Sequence, residues 1–136
     1  MAFQNFFSIL RTYGARFRGN TGFGYAAGSG GTVTQITSRA TGVTLNKICG
    51  TITTINTSLA AEASADFVVT NSAVAAGDVV VLAVKSGLVG VGTIVSVAAV
   101  GAGSFTIRVH NGNVAAGTAE TGAIVINFAV IKSVAA

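Results

Sequence analysis

The 136-residue sequence predicts an all-β fold: an antiparallel, jelly-roll-like β-sandwich body preceded by a short N-terminal arm. Three observations predict it. From Gly31 onward apolar residues alternate with polar ones at a period of two, and glycine-bearing turns break the runs into short segments. Val, Ala, Thr and Gly dominate a chain without Pro or Trp, which suits short pleated strands. Only 9% of residues are charged, well below an ordinary soluble domain, so much of the surface is expected to be covered by other protein.

The elements follow in order. Phe3, Phe6, Phe7 and Leu10 fall at i, i+3, i+4 and i+7, which predicts a short amphipathic helix over residues 2–12 with Arg11 near its C-terminal end. Such a helix is marginal alone and needs a surface to lie on. The stretch Gly22-Phe23-Gly24-Tyr25-Ala26-Ala27 matches the G-x-G-x-x-A of a dinucleotide loop. That chemistry needs a strand before the glycines, a helix after them and an acid about 20 residues on. Here strand-like GTVTQIT follows and Gly42 to Lys47 holds no acid, so the stretch reads as a linker. Residues 1–30 are therefore assigned to the arm and linker, and 31–136 to the body.

Within the body, TVTQIT, GVTL, CGTITTI, DFVVTN, DVVVLAV, VGTIVSVAAV, GSFTIRVH and TGAIVINFAVIK each read as a strand. In the last, Ile124, Ile126, Phe128 and Val130 share one face, and Phe67, Phe105 and Phe128 read as core. The uncharged run between Lys85 and Arg108 is long enough to span a bilayer. Its glycines and strand-like valines favour two strands joined at Gly101-Ala102-Gly103, and no membrane association is expected. The phrase N-x-x-V-A-A-G occurs twice, from Asn71 and from Asn111, which suggests two equivalent turns.

Catalytic patterns are missing. His110 is the single histidine and reads as a turn or surface residue; the four acids, Glu62, Asp66, Asp78 and Glu120, form no evident acid/base couple. Cys49 is the lone cysteine, which excludes an intrachain disulfide, and it reads as a buried small hydrophobe. No enzyme activity, cofactor or metal is expected. The net charge of +4 is concentrated early, since Arg11, Arg16, Arg18, Arg39 and Lys47 all precede the first acid. Five scattered bases make no nucleic-acid patch, but they favour an acidic partner. No secretion signal is evident, so cytoplasmic synthesis is expected.

The phrases GTVTQITSRATGVTLNK, TNSAVAAGDVVVLAV and AIVINFAVIK resemble small β-rich structural proteins of tailed bacteriophages, above all the capsid decoration, or cement, proteins. The resemblance covers about residues 30–132 and implies a β-sandwich-like homotrimer on the exterior of the virion. There it would bind the major capsid protein at local three-fold positions. Seven of the ten aromatics lie in the first 25 residues together with three arginines. That coincidence nominates Phe3, Phe6, Phe7, Arg11, Tyr13, Arg16, Phe17 and Arg18 as a capsid-binding arm. The alternative is the β-domain of a phage head or tail fibre that binds host glycans. Such a binder needs aromatic stacking faces, and the body offers only three phenylalanines of core type.

Overall fold

A computed structural model of the chain describes residues 15–18, 22–115 and 117–133. Among them lie ten strands and no helix. A small antiparallel hairpin pairs β1 (Ala15–Arg18) with β2 (Gly22–Tyr25). The rest is a sandwich of two four-stranded sheets. The first has the order β3 (Gly30–Thr34), β5 (Cys49–Thr53), β10 (Val125–Ile131), β7 (Val79–Ser86). The second has the order β4 (Val43–Thr44), β6 (Ser64–Thr70), β9 (Ser104–Asn111), β8 (Thr93–Gly101).

The path between the sheets explains their mixed pairing. From β3 to β8 every connection crosses from one sheet to the other, so strands two apart in sequence share a sheet and a direction. Hence β3 pairs parallel with β5, and β4 with β6. The chain reverses at the β8–β9 hairpin, where Gly103 takes a positive φ of 78°. The returning strands then insert antiparallel, β9 between β6 and β8, β10 between β5 and β7. The β-sandwich expected from the sequence is therefore present, with one correction: one outer pair of each sheet, β3–β5 and β4–β6, is parallel rather than antiparallel.

The core forms where the period-two faces meet. Ile52, Ile126, Phe128 and Val130 of the first sheet pack against Phe67, Val69, Phe105, Ile107 and Val109 of the second, all at 3% exposure or less. Phe105 and Phe128 meet across the sandwich with ring centroids 5.3 Å apart at a tilted angle. Ile124 lies just before β10 and is fully buried, so the predicted face of the last strand is the core face. Two further expectations are corrected. The glycine-rich stretch read as a linker contains a paired strand, β2, because its alternating Gly-Phe-Gly-Tyr can extend beside β1. Cys49 is only half-buried, because its strand phase sets it opposite Ala129 on the outer face rather than in the core.

Candidate interaction surfaces and their buried polar braces

The turns that close each end of the sandwich are held by buried polar side chains. The repeated N-x-x-V-A-A-G phrase marks two of them. Asn71 follows β6 and Asn111 ends β9; both side chains are fully buried, and each phrase leads from the second sheet back to the first. Each Oδ1 accepts the N–H two residues on, from Ala73 at 3.0 Å and Asn113 at 3.2 Å, the Asx-turn geometry. Each Nδ2 donates to the main chain of a neighbouring segment, to Lys47 at 2.7 Å, and to Leu59 at 3.0 Å and Thr118 at 2.8 Å. Because β6 and β9 run antiparallel, the two braces sit at opposite ends of the sandwich. The copies then diverge: Val74 is buried, whereas Val114 is exposed.

At the end that carries the start of β7 and the end of β10, Asp78 clamps the chain. Its carboxylate accepts the N–H of Ala75 at 2.7 Å and of Ser133 at 3.2 Å, and it pairs with the Lys132 ammonium, which also donates to the Ala73 carbonyl. The Ala75 and Lys132 hydrogen bonds hold the Asp78 carboxyl below its ordinary range.

At the other end Glu120 is buried completely. It accepts from the Thr93 hydroxyl at 2.7 Å and from the N–H groups of Gly90 at 2.8 Å, Gly122 at 2.7 Å and Val89 at 3.1 Å. Burial acts to raise its carboxyl, but these hydrogen bonds outweigh it and hold the group below the ordinary range. Above the Glu120 brace the β7–β8 loop presents Leu88, Val89 and Val91 to solvent, with Val91 fully exposed. Arg39 lies beside Glu120, also buried, and donates to the carbonyls of Thr57, Glu120 and Gly122. Its Nη1 has no partner among the described residues. Arg39 is brought inward by the segment after β3, where the buried Gln35 amide donates to the carbonyls of Arg39 at 2.9 Å and Thr41 at 2.7 Å.

The outer faces differ in character. On the second sheet Asp66 and Arg108 lie opposite each other and form an exposed bidentate pair at 2.6 and 2.8 Å. In the next row Ser64 Oγ lies 3.0 Å from His110 Nδ1, which places His110 on a surface, as its position near a turn suggested. On the first sheet the outer face of β7 and β10 exposes Val79, Val81 and Ile131. Along one strand pair this makes an aliphatic strip.

Of the residues nominated for the arm, Phe3, Phe6, Phe7, Arg11 and Tyr13 lie outside the described residues, as does the expected helix over residues 2–12. Arg16, Phe17 and Arg18 belong to strand β1. Sequence reading missed Arg39, Glu120 and Gln35 as braces, since isolated polar residues in loops carry no periodic signal. The Asn repeat was the one visible sign of this machinery. Among the described residues no helix is long and apolar enough to cross a membrane, and no group of three or more His, Cys, Asp or Glu is placed to hold a metal ion. Comparison with protein-family models, curated proteins and solved structures finds no match to this chain.

Proposed function

We propose that the chain is a structural protein of a tailed-phage virion, a decoration protein that binds the outer surface of the capsid and stabilises it as a homotrimer. The observation that carries this reading is the surface of the body. Val79, Val81, Val89, Val91, Ile94 and Ile131 are all exposed large aliphatics in a chain with only 9% charged residues. Such a surface is suited to being covered by other protein. The buried polar side chains support the same reading, because Asn71, Asn111, Asp78 and Glu120 are engaged in holding loops in place. A rigid body with braced ends serves as glue between neighbouring shell subunits. The arm residues Phe3, Phe6 and Phe7 supply further apolar contacts to the major capsid protein, and Arg11, Arg16 and Arg18 meet acidic groups there.

Burying one Phe is worth roughly 1.5–3 kcal/mol, against about 0–1 kcal/mol for an exposed ion pair. Concentrated salt alone is therefore expected to leave the protein on capsids. The deciding experiment is a mass-spectrometric copy number in purified virions of the encoding phage. A number comparable to that of the major capsid protein supports decoration. A few copies per particle indicates a fibre, and absence from the particle rejects the proposal.

A further inference from the structure

The two long edge strands lie on the same side of the sandwich. β7 ends the first sheet and β8 the second, and one short loop joins them. From Val79 to Gly101 the chain carries a single charged residue, Lys85, and no acid. Seven of the eleven large apolar residues exposed among the described residues lie in this segment, so the exposed apolar surface is concentrated on one side. Long edge strands of monomeric proteins are ordinarily protected by charges, Pro or a covering segment.

The core is also left open here. Across the β10–β7 ladder Ile126 faces Val84, and across the β9–β8 ladder Ile107 faces Val97. Residues directly opposite in a ladder share a face, so Val84 and Val97 point inward with their partners. Ile126 and Ile107 are wholly buried, whereas Val97 is only partly covered and Val84 is 39% exposed. Leu82 and Val95, opposite Phe128 and Val109, are likewise partly covered. The other side of the sandwich is finished differently. There β3 and β4 have five and two residues, and Leu45 fills the space inside the paired Gly31 and Gly50. A Cβ placed at either glycine would stand 2.9 Å from a Leu45 methyl carbon. A core that ends in half-covered aliphatics has the anatomy of an interface between permanently associated chains.

We infer that copies of this chain associate in solution through the β7–β8 side, with Leu82, Val84, Val95 and Val97 facing their counterparts around a symmetry axis. A second copy suits the surface because the occupant must be apolar and bring no charges in need of partners. Closed symmetry brings the same side of every copy to one axis, so the surface supplies its own complement. The area is also adequate. The nine residues of β8 make the side about 30 Å long, and two sheets roughly 10 Å apart with their outer side chains make it about 20 Å wide. That is about 600 Å² per copy in projection, near the roughly 800 Å² per partner of a stable interface. The register shifts at Lys85 and Ala98 interrupt both strand edges, so the contact is made by side chains and neither sheet is extended. This inference rests on the homo-oligomer of the proposed function and names its contact surface; it requires no capsid.

The test is sedimentation equilibrium of the full chain from nanomolar to high micromolar concentration. The natural chain should associate. Val84→Glu combined with Ala98→Glu places a carboxylate on each strand at positions exposed in the single chain, and should weaken association by about a hundredfold or more. Thr32→Glu combined with Val68→Glu adds the same charge at exposed positions on the opposite edge and an outer face, and should leave association unchanged. Circular dichroism checks that each variant is folded. If the first pair is not, Ala98→Glu alone is used with hydrogen exchange of the natural chain. Amides of Val79–Ser86 and Thr93–Gly101 should then exchange more slowly as concentration rises. Association undiminished in a folded β7–β8 variant, or exchange in those strands that ignores concentration while the mass rises, overturns this surface and leaves the homo-oligomer standing. A natural chain that is monomeric at every concentration also overturns the inference, whereas the homotrimer is rejected only if none is assembled on the virion either.

Discussion

Glu120 shows how much one side chain can hold. A buried carboxylate with Thr93, Gly90, Gly122 and Val89 as donors fixes the β7–β8 loop to the segment before β10. Glu120→Gln replaces an acceptor oxygen by a donor among donors, and should cost about 2–3 kcal/mol, measured by chemical denaturation at neutral pH. Its carboxyl is held below the ordinary range on folding, so its contribution is complete above the unfolded value of about 4.3 and is lost as pH falls through the lower folded value. The denaturation midpoint of the natural chain should fall on acidification below about pH 4, and fall less steeply in Glu120→Gln. Asp78, depressed in the same direction, leaves part of that slope in place. Thr37 poses the opposite case. A β-branched residue at a φ of 76° is strained, and such positions cost on the order of 1–3 kcal/mol. Thr37→Gly relieves that strain but frees the unfolded chain, so a gain of up to about 1 kcal/mol is expected in thermal melts. A loss would mean that the Thr37 side chain contributes more than its backbone costs.

Strands and their turns carry the next level of specification. In β10, Ile126 is fully buried between the sheets, so Ile126→Asp places an unpaired charge in the core and should abolish folding, seen as loss of the cooperative transition. Close backbone approach governs the junction before that strand. A Cβ added at Gly122 would stand 1.8 Å from the Gly87 carbonyl oxygen, and Gly87 itself has a φ of +86°. Gly122→Ala should therefore destabilise by about 3 kcal/mol, more than its single methyl suggests, because backbone rather than a side-chain tip must move. The long edge strands are managed differently. β7 carries a register shift beside Lys85, and β8 one at Ala98, each of which interrupts a flat edge open to further pairing.

At the scale of the molecule the body is a two-layer sandwich with braced ends and aliphatic residues left on its surface. That combination motivates the expectation of a homotrimer. Light scattering at micromolar concentration should find about three times the chain mass, and a stable monomer there, with none assembled on the virion, would reject the trimer. The strands were legible beforehand because their signal is local: TVTQIT through AIVINFAVIK correspond to β3 to β10, and Gly101-Ala102-Gly103 to the hairpin. The directions of β3 and β4 were not, because parallel or antiparallel pairing depends on which sheet the intervening strand joins. Of the arm nominated for capsid contact, Phe3, Phe6, Phe7, Arg11 and Tyr13 lie outside the described residues, and Arg16, Phe17 and Arg18 form part of β1.

The sequence by itself determined the class of fold, the core phenylalanines Phe67, Phe105 and Phe128, and the two Asn turns. Each of these follows from side-chain alternation or from a bond made within a few residues. Tertiary structure alone decided that Arg39 and Glu120 meet at one end of the sandwich, 81 positions apart in the chain. It also decided that Cys49 faces outward, and that the Tyr25 hydroxyl returns to the Val130 carbonyl, 105 positions on. These depend on how the chain winds between two sheets and then threads back through them. No local pattern encodes that path, because an alternating strand fits any sheet that covers its apolar side.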